Sequence, residues 1–152
     1  MKIAIGADHA GVDLKDQLAG MLREAGHEVE DHGTFGPDSV DYPDFAAAVG
    51  SAVSSEQAER GVLVCGSGLG VAIAANKVDG VRAVTCNDLY TAELCRAHND
   101  ANVIALGARI VGGGLAEAIV RTFLSTDFDG GPRHRRRVDK IHTLENSLEN
   151  AS

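Results

Sequence analysis

Cations are scarce in this chain. Its 152 residues hold 14 Lys and Arg against 22 Asp and Glu, a formal net charge of −8. That balance argues against a nucleic-acid or anionic-membrane partner, because both need a net or patchy excess of cations. A small-molecule partner fits better. Cysteine is sparse too: three residues, an odd number in no metal-ligand spacing, suit free thiols in a reducing compartment better than a disulfide frame or a zinc site. No apolar run approaches the roughly 18 residues of a membrane span. The chain opens directly on strand-like Lys2-Ile3-Ala4-Ile5 instead of a signal peptide. A cytoplasmic protein is expected. No internal repeat or second domain shows, and at 44% hydrophobic the chain can bury one core. One domain over 1–152 follows, with a C-terminal helix and frayed tail from about 133–152.

What the chain does have is glycine in one telling place. From Gly61 to Asn76 an apolar run (Val62, Leu63, Val64) breaks at Gly66, Gly68 and Gly70, then resumes as a helix-like Ala/Ile segment. This reads as a buried strand, a tight turn and a helix start. The glycines let the backbone approach a ligand, and the helix aims N–H groups and its positive dipole end there. Cys65 stands at the lip of that anion cradle, where a helix N-terminus favours the thiolate and hence a base near neutral pH. Named phosphate motifs do not fit. The P-loop needs a lysine after its second glycine, the dinucleotide fingerprint meets Val71 where it needs glycine, and the serine elbow meets Leu69 at its fifth position.

Around this unit strands and helices alternate. Lys2–Gly6 reads as a strand, followed by a helix with Leu14, Leu18, Met21 and Leu22 on one face. His27–Asp31 reads as a second strand, followed by a helix from near Pro43 with Phe45, Val49 and Val53 inward. Val81–Thr85 and Asn102–Leu106 are further strands. The helix between those two spans about Leu89–His98, with His98 on its inward face. A later helix carries Ala116, Ile119, Val120, Phe123 and Leu124, and the last holds Val138, Ile141 and Leu144 on one side. The pattern predicts an α/β protein: a three-layer α/β/α Rossmann-like fold on a five-stranded parallel sheet, with ligands at the carboxyl ends of the strands. Asp8 and His9, Cys65 to Ser67, Asn87 and Asp88, and Arg109 follow successive strands and fall on that rim.

The run Pro132-Arg133-His134-Arg135-Arg136-Arg137 is the second feature. Arginines in the first turn of a helix oppose its dipole by about 0.3–1 kcal/mol each unless an anion neutralises them. Arg133 and Arg137, four apart, share a face and can fork onto one phosphate. The plainer reading is a solvated basic patch. Cys86 and Cys95 read as buried filler, and Asp8 alone could be a helix cap.

The segments Ile5-Gly6-Ala7-Asp8-His9-Ala10-Gly11, Asp41-Tyr42-Pro43, Cys65-Gly66-Ser67-Gly68-Leu69-Gly70, Ala74-Ala75-Asn76-Lys77 and His98-Asn99-Asp100-Ala101-Asn102-Val103, with Gly107-x-Arg109 and the arginine run, together resemble the type B ribose-5-phosphate isomerases. The resemblance spans Met1 to about Ile141. One branch of that family carries a glutamate base where Val71 stands here, so Cys65 resembles the cysteine-base branch. The resemblance implies interconversion of ribose 5-phosphate and ribulose 5-phosphate through a cis-enediolate, with no metal and no cofactor. Cys65 would move the carbon proton, Ser67 would assist exchange between the oxygens, and N–H groups from Gly66 through Gly68 and Leu69 to Gly70 would hold the oxyanion. His98 and Asp8 would open the ring. His9, Arg109, Arg133 and Arg137 would take the phosphate, and Tyr42 and Asn99 the sugar hydroxyls. A homodimer or dimer of dimers is implied, with His98, Asn99 and Arg109 facing Cys65 of the other chain. Arg135 and Arg136 have no catalytic task. Hexose 6-phosphates (allose or galactose) are an alternative substrate class, and a non-catalytic phosphosugar- or nucleotide-binding module is an alternative of another kind.

Overall fold

The computed structural model describes residues 1–149, with side chains described through Glu145; residues 150–152, most of the expected frayed tail, lie outside the described residues. In chain order the elements are β1 (Lys2–Ala7), α1 (Val12–Glu24), β2 (Glu28–Asp31), α2 (Tyr42–Ser54), β3 (Arg60–Cys65), α3 (Leu69–Ala75), β4 (Ala83–Thr85), α4 (Leu89–Asn99), β5 (Val103–Gly107), α5 (Gly113–Ser125) and α6 (Pro132–Glu149). All strand pairings are parallel, in the order β2-β1-β3-β5-β4. The expected five-stranded parallel sheet is therefore present. Its order, which no local pattern in the sequence specifies, puts β3 at the centre.

Side chains alternate across the sheet as the two-residue period requires. Ile3, Ile5, Val62, Val64, Ile104 and Leu106 face a core with Leu18, Leu22, Ala92, Ile119 and Phe123 of α1, α4 and α5. Ala4, Leu63, Val103 and Ala105 face a second core with Val49, Val53, Val71 and Ala75 of α2 and α3. Two apolar faces demand helices on both sides, which gives the three layers. Because β1 leads outward to β2 and the chain then crosses back to β3, the ends of β1 and β3 flank a switch point in the winding. Clefts open at such points beyond the strands' carboxyl ends.

Some expectations need correction. β4 begins at Ala83 instead of Val81, since Val81 donates to Val78 O in a turn and Arg82 N is taken by the side chain of Asn102. Phe45 is only half-buried. On α6, Val138 is buried but Ile141 and Leu144 are exposed; they line an open cavity of about 620 Å³ beside β4. His98, expected inward on α4, is half-buried at the junction with α6.

Two buried cations escaped the sequence reading. Lys15 on α1 is 0% exposed. Its Nζ lies 2.6 Å from both Asp31 Oδ2 and Asp16 Oδ1, and 5.1 Å from the centre of the Phe35 ring. Arg96 on α4 donates to Asp100 Oδ1 at 2.7 Å, Ala101 O at 2.6 Å and Thr126 O at 3.3 Å. A buried charge persists only when so partnered. Each cation pins a chain reversal: Lys15 holds the segment after β2, and Arg96 holds the exits of α4 and α5.

Candidate functional site

The site is built from the turn after β3. The strand ends at Cys65, which is 5% exposed, and the backbone reverses through Gly66, Ser67 and Gly68 into α3. Gly68 is the residue that makes the turn possible. Its φ is +78°, and a Cβ there would sit 2.8 Å from the Leu106 carbonyl carbon and 3.1 Å from Gly107 N. Left-handed backbone costs an L-residue about 1–2 kcal/mol, and overpacking costs about 1–3 kcal/mol more. Gly68→Ala is accordingly expected to lose about 2–5 kcal/mol of stability in a urea titration.

That turn aims donors at the thiol. Gly68 N–H donates to Cys65 Sγ at 3.1 Å, and Leu69 N–H to Ser67 Oγ at 3.3 Å. Sequence reasoning assigned these N–H groups to an oxyanion; in this structure two of them are committed to the thiol and the hydroxyl. Thr85 Oγ1 donates to Gly68 O at 2.8 Å, tying the turn to β4. Ala108 N–H and Arg109 N–H donate to Cys65 O and Gly66 O, tying it to the turn after β5.

A cavity of about 350 Å³ opens over this turn, lined by Asp8, Tyr42, Cys65, Gly66, Ser67, Gly70, Arg109 and Ile110. Asp8 comes from the end of β1 and is buried; its Oδ1 accepts from Ala10 N and Gly11 N at 3.0 and 3.2 Å in the turn before α1, so it shapes that turn and does not cap the helix, whose N-cap is Gly11. Tyr42 begins α2 and its ring lies against Gly70, within 2.7 Å of where a Cβ would stand there. Arg109 lies over Gly66, its Nη1 3.2 Å from that residue's would-be Cβ. This differs from the expectation that Arg109 faces the other chain's thiol, because within one chain it already borders its own. His9 is half-buried beside Asp8, and its Nδ1 accepts from Val40 N–H at 3.2 Å.

The other expected residues gather elsewhere. His98 stacks on His134 of α6, ring centres 4.3 Å apart and planes inclined by 24°, and His98 O lies 3.3 Å from His134 Nδ1. Asn99 lines the 620 Å³ cavity beside β4. Arg133, Arg136 and Arg137 are exposed on α6, whose first turn has no acidic residue, and Arg135 sits 5.9 Å over the Phe128 ring. None of these residues lines the Cys65 cavity. His134 is the one that sequence reasoning passed over. Buried at 8% exposure between Asp129 and His98, it joins α6 to α4, and its burial inside a run of exposed arginines was the missing signal.

The family model described as Ribose/Galactose Isomerase matches residues 3–141. The chain belongs to this isomerase family. Ribose-5-phosphate isomerase B of Escherichia coli (strain K12) is 46% identical over 144 residues, 95% of this chain and 96% of that one. The structure of Clostridium thermocellum ribose-5-phosphate isomerase B is 52% identical with a TM-score of 0.96, covering 97% of this chain and 99% of that one. D-erythrulose-4-phosphate isomerase of Pectobacterium atrosepticum is 43% identical over 147 residues, 95% of each chain. The turn after β3 thus belongs to a chain that matches those relatives over nearly its whole length.

Proposed function

We propose that this isomerase interconverts D-ribose 5-phosphate and D-ribulose 5-phosphate through a cis-enediolate. One observation carries the reading: a thiol with an N–H aimed at its sulfur, beside Ser67 and under Arg109, in a cavity at the switch point of a ribose/galactose isomerase fold. In the open-chain aldose, Cys65 takes the proton from C2 and returns it to C1, and Ser67 relays the proton between the two oxygens. Asp8 with His98 opens the furanose ring. Tyr42 and Asn99 meet the hydroxyls, and the glycine turn from Gly66 to Gly70 faces the developing oxyanion. His9, Arg109, Arg133 and Arg137 take the phosphate. The exposed arginines at the start of α6 stand against its dipole, and a bound phosphate removes that conflict.

The location of His98, Asn99, Arg133 and Arg137 outside the Cys65 cavity supports a homodimer, or a dimer of dimers, with each site shared between subunits. Three free thiols, Cys65, Cys86 and Cys95, suit a cytoplasmic enzyme.

The choice of sugar is tested by measuring kcat/KM for ribose 5-phosphate, erythrulose 4-phosphate and allose 6-phosphate in the presence of a chelator. A pocket built for one chain length discriminates against one carbon more or less by about 10–200-fold. Ribose 5-phosphate is expected to lead by at least about tenfold. Erythrulose 4-phosphate, the substrate in the name of the Pectobacterium relative, has the next claim; its lead would keep the chemistry and change the substrate. Turnover on none of the three would leave a phosphosugar-binding module.

A further inference from the structure

The isomerase reading uses one thiol of three. The other two face each other: Cys86 Sγ and Cys95 Sγ are 4.0 Å apart and hydrogen-bonded, one in the turn after β4 and one in the second turn of α4. They belong to the core under α4 and α5, and both sulfurs are nearly enclosed. The cover over Cys86 is thin. Asn87, Asp88, Leu89, Tyr90 and Thr91, the residues that follow it into the first turn of α4, are all exposed. Asp88 caps this turn through Thr91 N and Oγ1 at 2.8 Å each, and local opening of the turn is the route by which a small molecule would reach the sulfur.

The two thiols are unequal. Hydrogen bonding to Cys95, and secondarily to Thr91, holds the Cys86 thiol below its ordinary value against the opposing effects of burial and the Asp88 carboxylate. The same hydrogen bond, with burial, pushes Cys95 up. Cys95 Sγ also donates to Ala92 O of its own helix at 3.2 Å. A more acidic thiol beside a less acidic one is the arrangement in which the first attacks an oxidant and the second resolves the product.

We propose that Cys86 and Cys95 form an oxidisable dithiol that a small hydroperoxide converts to a disulfide. In the first step the Cys86 thiolate attacks one oxygen of hydrogen peroxide. The S–O bond forms, the O–O bond breaks, and hydroxide leaves and takes up the thiol's proton as water. In the second step Cys95 sulfur, losing its proton, attacks the Cys86 sulfenic acid. The S–S bond forms, the S–O bond breaks, and the second water leaves. Two thiols and one peroxide give one disulfide and two waters. The sulfurs must close by about 2 Å to reach a bond of about 2.05 Å, and rotation of the Cys86 side chain in its turn is the motion available. The disulfide would strap the entry of α4 to its own second turn, and it is independent of whether Cys65 is the isomerase base.

Trypsin supplies a direct test, because cleavage after Arg82 and Arg96 leaves both residues in one peptide, 83–96. The folded protein is treated with a small excess of hydrogen peroxide, quenched, alkylated under denaturing conditions and mapped by mass. Peptide 83–96 is expected to escape alkylation and to be about 2 Da lighter than its dithiol form, in wild type and in Cys65→Ala alike, and to recover both alkylation sites after dithiothreitol. A doubly alkylated peptide 83–96 after treatment would overturn the proposal. So would gains of about 16 or 32 Da on it, or a link from either cysteine to Cys65. Cys95→Ser is expected to stop at a trappable sulfenic acid on Cys86; failure to trap it while wild type still loses both thiols would assign the first attack to Cys95 and overturn the order of steps.

Discussion

Cys65→Ala is expected to lower kcat for ribose 5-phosphate isomerisation by about 10²–10⁴-fold, the usual contribution of a positioned general base. KM should change by less than about threefold, because in the proposed reaction the sulfur acts on the reacting carbon while the arginines supply the binding. Physically, the change removes one sulfur from the floor of the cavity and leaves Gly68 N–H without its acceptor. The alanine methyl fills part of the same space, and the fold is expected to hold. Cys65→Ser is a sharper version, since serine keeps a hydrogen-bond acceptor for Gly68 but carries a hydroxyl too weakly acidic to serve as the same base. Its kcat should be as low as that of the alanine variant. Near-wild-type turnover in either would move the base elsewhere, and Asp8, the other buried ionisable group in the cavity, is the next candidate.

The second large effect is on stability, at a residue with no expected catalytic role. Asp31→Ala is expected to destabilise the fold by about 3 kcal/mol, at the lower end of what breaking a buried ion pair costs. Lys15 Nζ is fully enclosed, and Asp31 Oδ2 is one of its two anionic partners. The remaining one, Asp16, is mostly exposed and loses part of its strength to solvent, so the cation would be left poorly compensated. Asp31 Oδ1 also caps Gly33 N–H at 2.9 Å. From there Gly33 O accepts from Ala7 N, Thr34 N donates to Ala7 O, and the segment runs on to Val40, whose N–H holds the His9 ring. Urea unfolding measures the loss directly. Lys15→Met combined with Asp31→Leu should recover most of it, as apolar replacement of both partners removes the uncompensated charge. If the single variant were as stable as wild type, the pair would be decorative.

Legibility in the sequence divided along a physical line. The alternation of strands and helices could be read because hydrophobic period is local, and the glycine turn at Cys65 could be read because a buried strand running into alternating glycines has few structural uses. Strand order could not, since inserting β5 between β3 and β4 depends on pairings between residues distant in the chain, such as Val62 with Ile104 and Ala83 with Val103. Lys15 and Arg96 stayed hidden for another reason. Each lies on an amphipathic helix with one carboxylate partner close in sequence, Asp16 or Asp100, and the partner that arrives from elsewhere, Asp31 for Lys15 and the Thr126 carbonyl for Arg96, leaves no local signal. The arginine run showed the opposite confusion. Its regular basic character masked His134, the one side chain in it that is buried, and gave no sign that Arg135 rests on Phe128.

The sheet's outer strands have a consequence for how this protein behaves in a crowded solution. An unprotected strand edge invites another chain to add to it, and the commonest natural defences are short length and exposed charge. Both are in use here. On one side β4 is only three residues long, and the Asn76 side chain clamps the Ala83 backbone at both its N–H and its carbonyl. On the other side β2 exposes Glu28 and Glu30 in four residues, so two such edges meeting would repel. The reactive turn hangs from the central strand, two strands in from either edge. Stray association along the sheet is thus discouraged at its margins, far from the chemistry, and the cavity at the centre owes nothing to keeping those margins clean.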